Sequence, residues 1–231
     1  MMKYKREEIL AIPRIESPVQ DNMLYAIYDT EFNRKTSKDI PGYRRYSYFP
    51  HNLEMSMKNA WIVHLDRNDL EDNPHYIQLV TGLVIKCGNE TLLLNCINGA
   101  MEGNHTLIQG HANYKKEFDD LTVKQIMLMN MYREFKEEIK IEDECLYNRL
   151  CSMIRLRFFT FDSDYERQRI SYYHFGFIYV LDLENDVKTF RSLNESAEPE
   201  KNKVVFTDFK TASQYKLDDW AKEICGYYAN I

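Results

Sequence analysis

The chain has 231 residues, 44% of them apolar and 29% charged, with 8 glycines and 6 prolines. That make-up excludes a disordered or fibrous chain, and the length points to one or two domains with ample material for a core. Its 30 basic and 36 acidic side chains leave a net charge of −6, so the chain as a whole does not attract nucleic acid or anionic membranes, and a polyanionic substrate would need local basic groups or bound cations.

The first residues, Met1 to Glu8, are charged and lead into only four apolar residues, Ile9 to Ile12, which argues against a secretory signal. No stretch approaches the roughly 18 consecutive apolar residues of a membrane span. Glu8 to Pro13 reads as a short strand, Asp29 to Gly42 as a polar loop, and Trp61 to Leu65 as a strand. Asp66 to Pro74 is acidic and turn-rich, a boundary signal. Residues 1–75 are therefore expected to form an α+β extension packed on a main domain of residues 76–231.

In that domain Ile77 to Ile85 is a β-rich run interrupted only by Gly82, and Gly88-Asn89 turns it into a second strand, Thr91 to Asn95. His105 to Gly110 is a short strand ending on glycine, and Asn113 to Asp120 is a polar loop. Thr122 to Ile141 is the strongest helix, with Thr122 as cap and Gln125 as its capping-box partner. Leu150 to Phe161 and Tyr172 to Leu183 read as strands, Asn194 to Asn202 as a polar loop, and Lys203 to Asp208 as a last strand. Lys216 to Tyr227 closes the chain as an amphipathic helix with Leu217, Trp220, Ala221 and Ile224 on one face. The five cysteines, Cys87, Cys96, Cys145, Cys151 and Cys225, form no C-x-x-C pair. They read as reduced thiols of a cytoplasmic protein.

Chemistry concentrates in Arg133-Glu134-Phe135-Lys136-Glu137-Glu138-Ile139-Lys140-Ile141. On a helix, Glu134, Glu137 and Glu138 share a stripe roughly 100° wide, beside an apolar stripe of Leu128, Met131, Phe135 and Ile139. Like charges at that spacing repel unless neutralised. A hard cation such as Mg²⁺ would neutralise them, since it prefers oxygen donors. Arg133 can hold Glu137 as an i,i+4 pair, and upstream lies Gln109-Gly110-His111, where glycine lets backbone approach a ligand closely. The plain alternative is a solvated acidic face.

Gly110 and the run from Arg133 to Ile141 resemble the Nudix box, G-x5-E-x7-R-E-U-x-E-E-x-G-U, with U a bulky apolar residue. Arg133, Glu134, Phe135, Glu137, Glu138 and Ile141 match its second half position by position. The chain departs from the box in a longer stretch between Gly110 and Arg133, in Lys140 where the box has glycine, and in the first box glutamate, for which neither Glu117 nor Gln125 fits both counts. Arg67 to Gln78, Gly110-His111, Tyr173 to Gly176 and Leu217 to Trp220 are similar to a bacterial and phage branch of predicted MutT-type phosphoesterases.

The resemblance implies an α/β fold, a Nudix-like α/β/α sandwich with a mixed sheet, that hydrolyses a phosphoanhydride in a nucleoside diphosphate linked to another group. It implies Mg²⁺ or Mn²⁺ as cofactor. Glu137, Glu138 and the Gly110 carbonyl would be metal ligands. Glu134 would be a ligand or an activator of water, and Arg133 would orient the carboxylates. A late-loop carboxylate, Glu195, Glu198 or Glu200, is a further candidate. The partner is then a small nucleotide-like diphosphate, not nucleic acid or membrane, and an extension that forms a homodimer or a substrate wall is a reading from length alone. The competing readings are a Nudix-fold nucleotide-binding module that does not cut, and a structural protein with an acidic surface helix.

His111 could touch phosphate or be a loop histidine without a role, and His174 reads as a satisfied core histidine. Arg155, Arg157, Arg167 and Arg169 could grip phosphates or lie exposed on a hairpin. Trp61 and Trp220 read as structural. No P-loop, G-x-G-x-x-G, G-x-S-x-G, zincin or Cys/His zinc pattern is present.

Overall fold

The computed structural model describes residues 7–13, 22–26, 56, 62–71, 73, 75–98, 101–162 and 174–231. The expected loop Asp29 to Gly42, Trp61, Arg167 and Arg169 lie outside the described residues. The chain opens with strands β1 (Glu8–Pro13), β2 (Asn22–Ala26) and β3 (Val63–Asp66), then a one-turn helix α1 (Arg67–Leu70). Strands β4 (Tyr76–Cys87), β5 (Glu90–Cys96), β6 (His105–Thr106) and β7 (Ile108–His111) follow. Helices α2 (Val123–Glu138) and α3 (Glu144–Met153) precede strands β8 (Arg155–Asp162) and β9 (His174–Asp182). The last elements are α4 (Val187–Ser192), β10 (Asn202–Asp208) and α5 (Asp219–Ala229). The chain divides into two compact units, one of Met1–Thr81, Gly110–Asn130 and Arg157–Phe177, the other of Gly82–Gln109, Met131–Leu156 and Ile178–Ile231.

In the first unit β1 pairs antiparallel with β3, Ile9 opposite Leu65, and with β4, Ile12 opposite Ile77. Ile9, Leu10 and Ala11 are wholly buried, which is why this strand reads as a continuous apolar run and not as an alternating one. Leu70 of α1 packs on Ile9 and Ala11. The backbone of β1 is also bonded to the segment after β7: Leu10 N–H donates to the Ala112 carbonyl at 2.9 Å and Tyr114 N–H to the Glu8 carbonyl at 2.8 Å. Strand β2 pairs antiparallel with β8. The rings of Phe159, Phe175 and Phe177 meet with centroids 4.9–5.6 Å apart, an apolar cluster of the kind that fixes strand faces.

In the second unit β4 and β5 form the expected hairpin, turned at Gly88, whose φ of +56 suits glycine. Strand β10 lies antiparallel on β5 over its whole length, from Asn202 opposite Cys96 to Asp208 opposite Glu90. Gly82 does not break β4. A Cβ there would sit 2.7 Å from Ile178 Cδ1, so glycine serves a close side-chain approach.

Other elements differ from the sequence reading. Leu150 to Met153 belong to α3, not to a strand. The Asp143 side chain caps that helix by accepting from the Cys145 and Leu146 N–H groups, a start signal that Leu146 and Leu150 at helical spacing accompany. Helix α4, capped by Asp186, has no counterpart among the expected elements. The expected strand His105 to Gly110 divides into β6 and β7, and α5 begins at Asp219 because Asp218 is its cap. Helix α2 stops at Glu138 because Ile139 leaves the helix to bridge Ser196 in antiparallel fashion.

Candidate active site

Helix α2 starts on the expected capping box. Thr122 N–H donates to Gln125 Oε1 at 2.9 Å, and Gln125 N–H donates back to Thr122 Oγ1 at 3.3 Å. Met131, Phe135 and Ile139 are buried and Leu128 is half-buried. Phe135 stacks on Tyr147 of α3 with centroids 5.8 Å apart. The Tyr147 hydroxyl donates to the Tyr132 carbonyl at 2.9 Å, and the Tyr132 hydroxyl donates to the Cys151 carbonyl at 3.1 Å. These contacts fix the rotation of α2 and thereby the direction of its acidic stripe.

The stripe is not uniform. Glu134 is 6% exposed, and burial pushes its carboxyl up to about 7 against the opposing pull of Arg133. The Arg133 guanidinium bridges Glu134 and Glu137, meeting Glu137 Oε2 at 2.9 Å, so the expected i,i+4 pair forms. Glu137 is half-exposed. Glu138 is raised too, chiefly by burial and against an Asn202 hydrogen bond, with Glu198 adding a like charge.

The end of α2 is stitched to the loop before β10. Lys140 N–H donates to the Glu195 carbonyl at 2.9 Å and Ala197 N–H to the Glu138 carbonyl at 3.0 Å. The Asn202 amide donates to Glu138 Oε2 at 2.7 Å. Of the late-loop candidates, Glu195 pairs with Lys140 at 3.2 Å, and Glu198 takes the Lys201 ammonium on both oxygens at 2.9 and 2.8 Å while bearing electrostatically on Glu138. Glu200 offers its backbone carbonyl to Asn98 at 2.6 Å. Asn202 is not among the residues the sequence singles out: an asparagine at a strand start carries no signal until a distant helix end lies beside it.

Among the described residues no group of three or more His, Cys, Asp or Glu side chains is placed to hold a metal ion. The chemistry of Glu134 and Glu138 nevertheless suits Mg²⁺. They are oxygen donors one helical turn apart, and each charged form is disfavoured by burial. Mg²⁺ is commonly held by one or two carboxylates, with substrate phosphates and waters completing its shell.

Gly110 lies in β7 and belongs to the other compact unit, where its carbonyl has the Thr81 hydroxyl 3.4 Å away. His111 is next to it. Its Nε2 is 3.1 Å from Nε2 of His174, which is 8% exposed, so one ring donates and the other accepts. Arg155 donates to the Ser152 and Ile154 carbonyls at 2.6 and 2.9 Å, closing the end of α3. The long stretch after Gly110 is built, not slack: Asn113 N–H donates to Asn130 Oδ1 at 2.9 Å, and Lys116–Phe118 form a 3₁₀ turn. With Glu7, Glu8 and His64 it lines an open cavity of about 650 Å³, where the His64 ring stacks on Tyr114 at 3.8 Å.

No family model matches the chain, and no curated protein matches it. Solved structures do. Tm1382, a candidate Nudix hydrolase, matches with TM-score 0.59 and 14% identity over 97% of this chain and 99% of its own. The Nudix domain of NrtR from Shewanella oneidensis, solved with ADP-ribose, gives 0.44 and 13% over 67% of this chain and 86% of its own. The bifunctional NMN adenylyltransferase/ADP-ribose pyrophosphatase of Francisella tularensis, solved with AMP and a Mn ion, gives 0.39 and 14% over 84% and 47%. Identities this low speak for the fold alone, and of these three the first carries it: a Nudix-like α/β fold, as expected from the sequence.

Proposed function

We propose that this chain, built on a Nudix-like fold, is a Mg²⁺-dependent pyrophosphohydrolase acting on a nucleoside diphosphate linked to another group. The observation that carries the reading is Glu134, buried beside Arg133 with its carboxyl at about 7 and one turn from Glu138. A carboxylate in that range can take a proton from an attacking water at neutral pH. Arg133 holds Glu134 and Glu137 in one orientation, and Asn202 holds Glu138. In this reading Glu137 and Glu138 hold the cation, with Glu134 as a further ligand or the base. Mg²⁺ or Mn²⁺ would lower the charge around the diphosphate and polarise it.

The same reading takes residues 76–231 as the hydrolase domain and residues 1–75 as an extension packed on it, supported by the pairing of β1 with β4. It takes the protein as cytoplasmic, bacterial or phage in origin, and paired through the extension as a homodimer. The five cysteines are free, and four are buried. Among the described residues no helix is long and apolar enough to cross a membrane.

The test is a panel of nucleoside di- and triphosphates, dinucleotides and nucleotide sugars with Mg²⁺ or Mn²⁺. The expected result is release of phosphate or nucleoside monophosphate from at least one member, lowered about 10²–10⁴-fold in Glu138→Gln. Equal inertness of both proteins with retained nucleotide binding would establish the binding-module reading instead.

A further inference from the structure

The loop before β10 does more than connect. Its segment Glu195 to Ala197 adds a short antiparallel rung to the chain leaving α2, through the Lys140–Glu195 and Ala197–Glu138 backbone bonds and the Ile139–Ser196 bridge. A tight turn follows, in which Lys201 and Asn202 N–H groups both donate to the Glu198 carbonyl, at 2.9 and 3.0 Å. The turn delivers Asn202 to the first pairing position of β10, opposite Cys96. From there its amide reaches Glu138 Oε2 at 2.7 Å.

The residue type at that point matters. A neutral amide fixes the Glu138 rotamer through one oxygen and adds no positive charge to compete with a cation. The neighbouring cation, Lys201, is held by Glu198 on both carboxylate oxygens. An apolar side chain at 202 would leave Glu138 Oε2 without the amide that donates to it. A lysine there would answer the Glu138 charge permanently.

We propose that Asn202 is a positioning residue for Glu138, holding that carboxylate in the orientation in which it takes a divalent cation, with the 195–202 loop as the scaffold that sets the distance. This rests on the reading of Glu138 as a metal ligand. Asn202→Leu removes the donor and keeps a γ-branched side chain. Donors that orient a metal ligand in this way are worth about 10–100-fold in metal affinity.

The experiment is a Mn²⁺ titration of the full-length protein without substrate, followed by the electron paramagnetic resonance of free Mn²⁺ and by the thermal midpoint. Asn202→Leu is expected to weaken Mn²⁺ binding at least about tenfold, with a midpoint in EDTA that is lowered because Glu138 loses its donor but leaves the protein folded. If that variant does not fold in EDTA, Asn202→Ser, small and polar, is read in its place with the same expectation. Wild-type Mn²⁺ affinity in a folded Asn202 variant overturns the proposal while leaving the metal reading intact, provided Glu138→Gln has lost binding. If Glu138→Gln binds Mn²⁺ like wild type, or wild type binds none, the metal reading fails and the positioning role fails with it.

Discussion

Two carboxylate settings in the same compact unit differ in how they are satisfied. At the start of α5, Asp218 is wrapped by donors: the Thr106 hydroxyl and the Gln109 amide, the latter at 3.0 Å, meet Oδ2, and the Ala221 N–H meets Oδ1 at 2.6 Å. At the end of α2, Glu134 is met by the Arg133 guanidinium and Glu138 by the Asn202 amide. Burial raises all three pKa values. Asp218 uses both oxygens to lock a helix start against β6 and β7, which is structural work. The α2 pair is more sparsely bonded and lies beside other negative charge, and it is the pair to which the proposed function assigns the chemistry.

The comparison breaks most sharply under single substitutions. Glu138→Gln should lower the hydrolytic rate about 10²–10⁴-fold, read as kcat on whichever panel substrate is cut, with little change in the urea midpoint. Asp218→Ala should do the reverse. Losing the cap and leaving Thr106 and Gln109 without their acceptor should remove about 3–4 kcal/mol of stability, read by urea unfolding.

pH sharpens the contrast. Glu134 has a folded-state value of about 7, above its ordinary 4.5. Its contribution to stability is therefore complete below about pH 4.5 and is lost as pH rises through about 7, an effect of about 3 kcal/mol. In EDTA the unfolding midpoint should fall between pH 5 and 8, and Glu134→Gln should flatten that fall while reducing activity. Excess Mg²⁺ should restore the wild-type midpoint at pH 8 more than at pH 5, because a bound cation favours the ionised carboxyls. The smallest expected effect is at Lys140, whose exposed ammonium joins Glu195 and Glu142. Lys140→Met should leave the midpoint unchanged, since the backbone bonds at 138–140 and 195–197 survive it.

The capping box at Thr122, the apolar residues Met131, Phe135 and Ile139, the Gly88 hairpin and the Arg133–Glu137 pair are legible because each is a local pattern, written within a few residues of itself. Leu150 in α3 reads as strand because the β-rich run that follows masks the Asp143 start signal. The end of α2 falls three residues earlier than the periodicity suggests, because Ile139 is apolar and fits the helical period while its actual partner, Ser196, is far along the chain. The contacts of Asn202 and Glu198 with Glu138, and the pairing of His111 with His174, are invisible for the same reason.

The amino-acid order alone determined that three glutamates share a helical stripe beside an arginine, since 3.6 residues per turn is a property of the backbone. It could not determine that Glu134 is buried, that Glu137 stays in solvent, or that Asn202 reaches Glu138. Those follow from which remote segments pack around the helix, and burial and hydrogen bonding, not spacing, set how tightly a carboxyl holds its proton.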